Sequence, residues 1–263
     1  MSAYRGRHAA LYDLFYADKP YESEAAFVDT CLRRFGGSQS KQLLELACGT
    51  GRHALALEQL GYEVSAIDSS SDMIGCAQRR GEKAASGIEF RCGDMRSLEF
   101  ADASFDAAIC LFDSLGYVRT NQAVGQVLDG LHRQLRDDGI FLFEFWHAAA
   151  MLRGYDPVRV RRWSTPDGQL VRISETTVDS AQQTCRVRYT VYELHNNGSY
   201  KTLNETQLNR FFLVQEMANL LTASGFEPLK WFAGFTDDEL ISADTWHVVA
   251  VAKKRAAAGA AAA

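Results

Sequence analysis

The chain has 263 residues, of which 47% are hydrophobic and 23% are charged, a balance typical of a globular protein with a core of ordinary size. Its formal net charge of −5 argues against a nucleic-acid-binding protein, which needs a basic face. No apolar run is long enough to span a bilayer, and the polar N-terminus is not followed by the apolar stretch of a signal peptide.

The six cysteines show none of the spacings of a zinc site or of a CxxC redox pair. Most of them lie within apolar, strand-like runs, where a free cysteine behaves as a small buried hydrophobic residue. We therefore expect reduced thiols in a cytoplasmic protein and no bound metal. The six are Cys31, Cys48, Cys76, Cys92, Cys110 and Cys185.

The first part of the chain is predicted to be helical, because apolar residues recur at helical spacing over residues 8–34 and a Gly-Gly pair ends the pattern. Strand-like and helical stretches then alternate, which is typical of a parallel sheet with helices on both faces. Since crossovers between parallel strands are right-handed, this alternation predicts a doubly wound α/β sheet. The predicted strands are residues 42–47, 62–67, 88–92, 105–112 and 140–145, and the predicted helices between them are 52–60, 71–80 and 121–135.

After Trp146 the pattern changes to repeated alternation of apolar and polar residues, typical of half-buried antiparallel strands. Asn197-Gly198 is a strong hairpin signal between two of these strands. We therefore expect a small antiparallel β-sheet inserted into the α/β core, followed by a helix over residues 214–224 and two strands that rejoin the main sheet. The predicted inserted strands are residues 158–163, 170–178, 185–194 and 200–212, and the final strands are 228–235 and 245–252.

These elements divide the chain into an N-terminal helical segment (residues 1–40), an α/β core (41–150 and 214–253) and an insert (151–213). Residues 254–263 form an alanine-rich, low-complexity end. We exclude that end from the fold and interpret it as a disordered tail or a vector-derived extension.

The most informative stretch is residues 43–53, in which an apolar strand runs into a turn with two glycines and then into a helix. Gly49 and Gly51 allow a tight turn and a close approach of a ligand to the backbone. In an open α/β sheet such a turn binds a nucleotide-like cofactor, next to the free N–H groups of the following helix. Asp68, at the end of the second strand, is positioned to accept hydrogen bonds from a ribose diol, or alternatively to cap the next helix.

Two carboxylates distinguish between the possible cofactors. Glu45, just before the glycine turn, would repel a pyrophosphate but attract the ammonium and sulfonium groups of a cationic cofactor. Asp94, just after the third strand, can accept a hydrogen bond from an adenine amine with Met95 against the ring, and a simple turn residue is the alternative. Because the glycine pattern also fits a dinucleotide, an NAD(P)-dependent oxidoreductase stays open here, as does a non-catalytic binding protein that uses the insert as a contact surface.

ELACGTG (45–51), Asp68, CGDM (92–95) and LRDDGIF (135–141) together resemble the class I S-adenosylmethionine-dependent methyltransferases over residues 42–145. This resemblance implies a Rossmann-like, mostly parallel seven-stranded sheet whose last strand is antiparallel, which agrees with the two predicted C-terminal strands. It implies an enzyme that uses S-adenosyl-L-methionine as its cofactor, without a metal, to methylate a small-molecule acceptor. Neither a nucleic acid nor a membrane is expected as a partner.

YDLFY (12–16), FDSLGY (112–117) and the inserted sheet are similar to the amino-sugar N,N-dimethyltransferases, which act on nucleotide-linked deoxy sugars. Glycine N-methyltransferase shares part of this architecture. By this resemblance residues 1–40 form a lid over the methyl donor that contains Tyr16 and Tyr21. The insert is expected to form one wall of the acceptor pocket and a homodimer interface. Some of those enzymes carry a histidine proposed as a base where this chain has Tyr117.

We expect the donor to be held at the strand ends and by the N-terminal lid, with Tyr16 nearest the methyl group; packing of Tyr12 and Tyr16 on one helix face is the alternative. His53 is expected to begin the helix after the glycine turn and to pack near the cofactor carboxylate. The expected cofactor-binding residues are Tyr16, Tyr21, Glu45, Ala47, Gly49, Gly51, His53, Asp68, Ser69, Met73, Asp94, Met95, Arg96 and Leu111.

The acceptor is expected just past the ends of strands four and five, where ligands bind in such sheets. The expected catalytic residues are Tyr16, Tyr117, Asp113 and His147, with Glu144 beside them. Like Tyr16, the other four residues each have a structural alternative, in turn capping, aromatic packing or ordinary hydrogen bonding. Arg210 is interpreted as a solvated strand residue rather than as an anion-binding one. Nitrogen, oxygen and carbon acceptors all remain open, although an amine acceptor would need a modest base.

Overall fold

A computed structural model describes residues 4–37 and 40–256 of the chain. Its helices are α1 (Arg7–Phe15), α2 (Tyr21–Gly36), α3 (Arg52–Gln59), α4 (Ser71–Ala84), α5 (Asn121–Gln134), α6 (Ala148–Gly154) and α7 (Val214–Ala223), and a 3₁₀ turn covers Ser114–Val118. Its strands are β1 (Gln42–Leu46), β2 (Glu63–Asp68), β3 (Glu89–Cys92), β4 (Phe105–Cys110), β5 (Leu135–Trp146), β6 (Val158–Thr165), β7 (Gly168–Asp179), β8 (Thr184–His195), β9 (Tyr200–Arg210), β10 (Phe226–Ala233) and β11 (His247–Lys254).

The main sheet has seven strands in the order β10-β11-β5-β4-β1-β2-β3. Strands β1 to β5 pair in parallel, and β11 runs antiparallel to both of its neighbours, β5 and β10. This order confirms the predicted doubly wound, mostly parallel seven-stranded sheet with an antiparallel last strand. It also brings the start of β11 to the same edge as the carboxyl ends of the parallel strands, because an antiparallel strand begins where its neighbours end.

Both faces of the main sheet are buried, and β5 shows how its sequence serves them. Because side chains alternate across a strand, Phe141 and Phe143 pack on one side with α5 and α7. Ile140 and Leu142 pack on the other side with α2 and α3. Glu144 continues the second row, so the apolar run from Ile140 to Phe143 is followed by a single carboxylate on that face.

The insert leaves the core and returns to it at one point. Phe212 N donates to Trp146 O at 2.9 Å, and Ala148 N donates to Phe212 O at 2.8 Å. Between these contacts β6, β7, β8 and β9 form a four-stranded antiparallel meander. Its strand bounds lie within two residues of the predicted ones, while the short helix α6 was not predicted as an element.

Helix α1 packs against the inserted sheet and against α4. Leu11 and Phe15 contact Leu170 and Val191 of the insert, while Tyr12 on the same helix packs with Met73 at the start of α4. The N-terminal segment therefore bridges the insert and the region of the glycine loop.

The C-terminal boundary differs from the predicted one. Lys254 belongs to β11, and its ammonium group donates to Leu135 O at 2.8 Å. Arg255 N donates to Gly225 O at 2.9 Å. The predicted start of the tail, residue 254, is therefore too early, because β11 extends to Lys254. Residues 1–3, 38–39 and 257–263, which belong to the predicted N-terminal segment and tail, lie outside the described residues.

Across the described part of the chain, no helix combines the length and the apolar character needed to cross a membrane.

Candidate active site

A cavity of about 1800 Å³ is lined by the carboxyl ends of main-sheet strands, by α1 and by one face of the inserted sheet. Pockets for a single small ligand usually enclose roughly 300–1000 Å³. The cavity is therefore large enough for two ligands side by side, as a group-transfer reaction requires.

The glycine loop forms the floor of one half of this cavity. Gly49 has a φ of 57°, and Gly51 has a φ of 75°, both in the left-handed region that favours glycine. A Cβ atom on Gly51 would lie 2.7 Å from the Phe90 ring, so Gly51 also allows α3 to pack against β3. Ala47 and Gly49 line the cavity, whereas Gly51 supports the loop from beneath.

Asp68 holds the glycine loop and the start of α4 together. One carboxylate oxygen accepts a hydrogen bond from Gly49 N at 3.0 Å, and the other accepts one from Ser70 N at 2.8 Å. The Ser70 side chain caps α4, so Asp68 itself is not the helix cap. Burial raises the pKa of Asp68, and these two hydrogen bonds oppose the rise. Asp68 and Ser69 both line the cavity, with lone pairs left to accept further bonds.

Glu45 lies behind the loop and is 2% exposed. Burial and the nearby charge of Asp68 raise its pKa to about 8. Its Oε2 atom is buried without a hydrogen-bond partner among the described residues. The carboxyl group accepts a backbone hydrogen bond from Ala54, and a cationic group placed over the loop would stabilise its ionised form.

The end of β3 supplies three further cavity residues, Asp94, Met95 and Arg96. Asp94 accepts a hydrogen bond from Arg96 N at 2.9 Å, as in a simple turn, and its carboxylate also pairs with the Arg96 guanidinium. This side-chain hydrogen bond lowers the pKa of Asp94. Recognition of an adenine amine would use the carboxylate lone pairs that this pairing leaves free.

Aromatic side chains from α1 cover the loop. Tyr12 and Tyr16 have ring centroids 4.7 Å apart, and Tyr16 meets the edge of Phe112 at 5.0 Å. Met73 packs below Tyr12, and Tyr12, Tyr16, Met73 and Phe112 all line the cavity. The stripe on α1 is thus both a packing surface and a cavity wall.

Three ionisable side chains from different elements meet beyond β4 and β5. His247 Nδ1 lies 2.7 Å from Glu144 Oε1 and 3.3 Å from Asp113 Oδ2. The 2.7 Å contact is an ion pair and not a well-aligned hydrogen bond, since the ring N–H has no hydrogen-bonded partner. The other Glu144 oxygen accepts a hydrogen bond from Phe112 N at 2.6 Å. We call Asp113, Glu144 and His247 the acidic cluster.

The acidic cluster carries shifted pKa values. Asp113 and Glu144 are each 2% exposed. Burial and the charge of Glu144 raise the pKa of Asp113 to about 7. Burial acts to lower the pKa of His247, but Asp113 and Glu144 outweigh it and raise that pKa to about 11. The cluster therefore contains an imidazolium at neutral pH, together with a carboxyl group that titrates near pH 7.

The three ligand atoms of the acidic cluster lie within 4.8 Å of one another, close enough to bind a divalent cation. The imidazolium already supplies positive charge between the two carboxylates. What the cluster lacks is a partner for Asp113 Oδ1, which is buried without a hydrogen bond among the described residues.

Tyr117 lines the cavity, but its environment does not suit a base. The phenol donates to Gln207 Oε1 at 3.1 Å, and burial raises its pKa well above the ordinary value. Tyr117 therefore stays protonated and acts as a hydrogen-bond donor.

His147, Tyr21, His53 and Leu111 do not line the cavity, in contrast to the expectation. His147 is 6% exposed with Nδ1 3.2 Å from Thr245 O, so the hydrogen-bonded alternative describes it. Tyr21 packs on His53, whose Nε2 lies 2.7 Å from Glu24 Oε2. Leu111 belongs to the hydrophobic core. These residues support the site from behind.

Several charged cavity residues were missed in the sequence, among them His247 and Arg172. His247 lies near the start of the predicted strand 245–252 in a stretch without a motif, and only the antiparallel direction of β11 brings it to Glu144. Arg172 lies on β7 of the insert, and its neighbours depend on how the two sheets face each other. Arg210, interpreted as solvated, is instead 6% exposed and forms an ion pair with Glu216.

Residues 43–139 match the family model described as a methyltransferase domain. The Bacillus subtilis (strain 168) protein YqeM, which is named as a methyltransferase, is 29% identical over 231 residues that cover 88% of this chain and 90% of YqeM. A dTDP-3-amino-3,4,6-trideoxy-alpha-D-glucopyranose N,N-dimethyltransferase from Streptomyces venezuelae is 26% identical over 226 residues, covering 84% of this chain and 91% of that enzyme.

Among solved structures, an S-adenosylmethionine-dependent methyltransferase from Clostridium acetobutylicum ATCC 824 superposes with a TM-score of 0.82. The match covers 95% of this chain and 98% of that one at 17% sequence identity, so it shows a shared fold. The matched domain contains the glycine loop and the strand-end carboxylates Asp68 and Asp94, and its match to a methyltransferase model favours a methyltransferase over a nicotinamide oxidoreductase. The domain match, the full-length relatives and the shared fold together support a class I S-adenosylmethionine-dependent methyltransferase.

Proposed function

We propose that the enzyme methylates the amine of a small-molecule acceptor and that nucleotide-linked amino sugars are the first acceptors to test. The observation that carries this proposal is the acidic cluster, which offers a buried, partly unpaired carboxylate at the end of β4 where the acceptor is expected. A cationic amine suits such a carboxylate better than a neutral hydroxyl group does.

The donor half of the cavity fits S-adenosylmethionine, which supplies an electrophilic methyl group on a positively charged sulfur. We assign Asp68 to the ribose, Asp94 and Met95 to the adenine, and the loop at Gly49 to the methionine end. Glu45, buried without a partner for Oε2, favours the positive charge of this cofactor from behind the loop. Tyr16 and Phe112 then exclude water from the reacting groups.

On the acceptor side, the amine must lose a proton before its lone pair can attack the methyl carbon. We assign this proton to Asp113, because a pKa near 7 places the carboxylate close to the operating pH. Glu144 and the His247 imidazolium hold the Asp113 side chain in place. His247 is thus a positioning residue, and the proton passes from the amine nitrogen to an Asp113 oxygen and then to solvent.

The printed name of the Streptomyces venezuelae relative supports an amine acceptor, because that enzyme dimethylates the amino group of a dTDP-linked sugar. The four-stranded insert supports a larger acceptor than an amino acid, because it adds a second wall to an already wide cavity.

The experiment that tests this function compares two acceptors that differ at one group. The enzyme is incubated with S-adenosylmethionine and either a dTDP-linked 3-amino sugar or the same sugar with a hydroxyl group in place of the amine. We expect S-adenosylhomocysteine formation and a methylated product, identified by mass spectrometry, only with the amine. Equal methylation of the hydroxyl compound would contradict the proposal, as would the absence of methylation across a wider panel of primary amines.

We further propose that the enzyme is a cytoplasmic homodimer that associates through the insert. The edge strand β6 exposes Val158 and Val160, which are 60% and 50% exposed, and an exposed apolar edge favours pairing with a second copy. All six cysteines are free thiols, as in a reducing compartment. Light scattering at micromolar concentration tests the dimer: a Val160→Lys variant should be monomeric, and a monomeric wild-type protein would remove this part of the proposal.

A further inference from the structure

Arg172 on β7 is a buried cation without an anionic partner. It is 7% exposed, and its Nε atom has no hydrogen-bond partner among the described residues. Its guanidinium carbon lies between 4.8 and 5.5 Å from the ring centroids of Phe15, Tyr16, Trp163 and Tyr189. Cation–π contacts offset only part of the cost of removing a charge from water, so the aromatic surroundings do not by themselves explain a buried guanidinium.

The other buried arginine of the inserted sheet has partners for its terminal nitrogens, although its Nε atom, like that of Arg172, has none among the described residues. Arg210, at 6% exposure, donates to Arg119 O at 3.0 Å, to Asn121 Oδ1 at 2.7 Å and to the Glu216 carboxylate. Within residues 4–37 and 40–256, no such bond or ion pair reaches the terminal nitrogens of Arg172. The contrast indicates that Arg172 is kept available for a group that comes from outside the chain.

A second guanidinium lies beside Arg172. Arg161 on β6 is its direct cross-strand partner, and directly opposed residues project from the same face of a sheet. Both line the cavity. Like charges directly opposite each other destabilise a sheet, and across the described ranges no carboxylate forms an ion pair with either guanidinium. An anion between the two would remove this repulsion.

The carboxylates near this face are already engaged. Glu205 accepts hydrogen bonds from Tyr4 N at 3.0 Å and from Gln207 Nε2 at 2.9 Å, and it lies 3.5 Å from His8 Nδ1. Glu193 forms an ion pair with Arg7 at 2.7 Å. The neighbour of Arg172 along the same face is Ser174, a residue that is 9% exposed and lines the cavity. The face thus offers two guanidinium groups and a hydroxyl group to a bound ligand.

We propose that Arg172 and Arg161 of the inserted sheet bind an anionic group of the methyl acceptor, a carboxylate or a phosphate, so that the acceptor is a negatively charged amine. This inference rests on the proposed function, because it places the anionic end of the molecule whose amine faces Asp113. Tyr16 contacts Arg172 on one side and Phe112, the residue before Asp113, on the other. The aromatic rings of Tyr16 and Phe112 therefore connect the anion site to the residue before Asp113.

The test follows the Arg172 side chain directly by NMR. Protein labelled with ¹⁵N-arginine is saturated with S-adenosylhomocysteine, and the Nε–H resonance of Arg172 is assigned from its absence in Arg172→Lys, which keeps the charge. Inorganic phosphate and acetate are then titrated separately, with potassium chloride exchanged to hold the ionic strength constant. We expect a saturable shift of the Arg172 resonance with at least one of the two anions. A phosphate-selective shift assigns a phosphorylated acceptor, and an acetate-selective shift assigns a carboxylate.

Matched variants on one strand provide the control. Arg161→Gln should weaken anion binding by about tenfold or more, because it removes a charged hydrogen-bond donor. Arg162→Gln, one residue along β6 and not among the cavity residues, should leave the titration unchanged. The proposed anion site is rejected if the shift of the Arg172 resonance is linear in anion concentration or equal to the shift that chloride causes. It is also rejected if Arg161→Gln leaves the shift unchanged.

This result is separable from the proposed function. Binding of S-adenosylhomocysteine and methylation of a neutral amine, without anion binding at Arg172, would reject the anion site alone. Anion binding in an enzyme that methylates no amine would reject the proposed function alone.

Discussion

The two walls of the cavity carry opposite charges and come from different parts of the chain. The donor wall is acidic: Asp68 and Asp94 line the cavity at the ends of neighbouring strands, and Glu45 lies behind the glycine loop on β1. The insert wall is basic, with Arg161 and Arg172 on its inner face. Such a division suits a cationic donor on one side and an anionic acceptor on the other. It also suggests that variants in the two walls have separable effects.

The largest expected effect is on the methylation rate, and it comes from substitution of Asp113, where the two walls meet. Asp113→Asn should lower the methylation rate by roughly 10²–10⁴-fold, the usual range for loss of a general base, while affinity for S-adenosylhomocysteine stays unchanged. In the wild type, kcat/KM should rise as pH increases through about 7, because Asp113 must be ionised to accept a proton. In Asp113→Asn, kcat/KM should not show this rise with pH.

Steady-state kinetics across pH and calorimetric binding check this expectation. Asp129→Asn, an exposed carboxylate on α5, serves as the control and should behave as the wild type. Full activity in Asp113→Asn would show that the proton leaves without this side chain.

A substitution in the donor wall should instead weaken binding of S-adenosylhomocysteine. Asp68→Ala removes a carboxylate that holds Gly49 and, by our assignment, the ribose. Affinity for S-adenosylhomocysteine should fall by roughly 10- to 100-fold, since hydrogen bonds to a charged group contribute about 1.5–3 kcal/mol. Calorimetric titration measures it, with Asp68→Asn to keep the shape of the loop and Asp102→Ala as an exposed control. Undiminished affinity in both Asp68 variants would reject the ribose assignment.

Tyr16 touches both walls and should give a smaller, mixed effect. Removing one hydroxyl group in Tyr16→Phe should lower turnover by roughly 2- to 10-fold, the range of one net hydrogen bond, with donor affinity changed by less. Single-turnover kinetics and calorimetry separate the two quantities. Unaltered turnover would limit Tyr16 to the packing role on α1.

The smallest expected effect is on stability, behind the glycine loop. Because the pKa of Glu45 is raised to about 8 in the folded protein from an ordinary 4.5, the folded state binds more protons than the unfolded state between these values. Its contribution to stability is therefore present below pH 4.5 and is lost as pH rises towards 8. Glu45→Gln removes this dependence.

Thermal unfolding at two pH values measures this effect. Relative to the wild type, Glu45→Gln should gain more at pH 8.5 than at pH 5, by about 2–4 °C in Tm for each kcal/mol relieved. The same variant should bind the cationic donor more weakly. A Tm difference that is constant with pH would contradict the shifted titration of Glu45.

The sequence predicts the donor wall far better than the acceptor wall, for a physical reason. Asp68 and Asp94 follow strands of a parallel sheet, so local pattern alone brings them to one edge. Arg172 and His247 enter the site through the orientation of the insert and through the antiparallel direction of β11, neither of which a local pattern specifies. His147 was expected in the site from its position after the fifth strand, and Tyr21 from the family resemblance, but neither residue lines the cavity.

The accuracy of the predicted element boundaries also depends on how strong the local sequence pattern is. The inserted strands were predicted within two residues because alternation marks half-buried strands strongly. Helix α6 was missed because it has only seven residues, Ala148–Gly154, too few for a helical period to stand out.

The most direct test of the account is a crystal structure of the enzyme with S-adenosylhomocysteine and an amine-bearing acceptor. We expect the ribose on Asp68, the sulfur facing Tyr16 and Phe112, and the acceptor nitrogen within hydrogen-bond distance of Asp113. A nucleoside bound away from the glycine loop, or an acceptor nitrogen with its nearest polar contact outside the acidic cluster, would contradict the account.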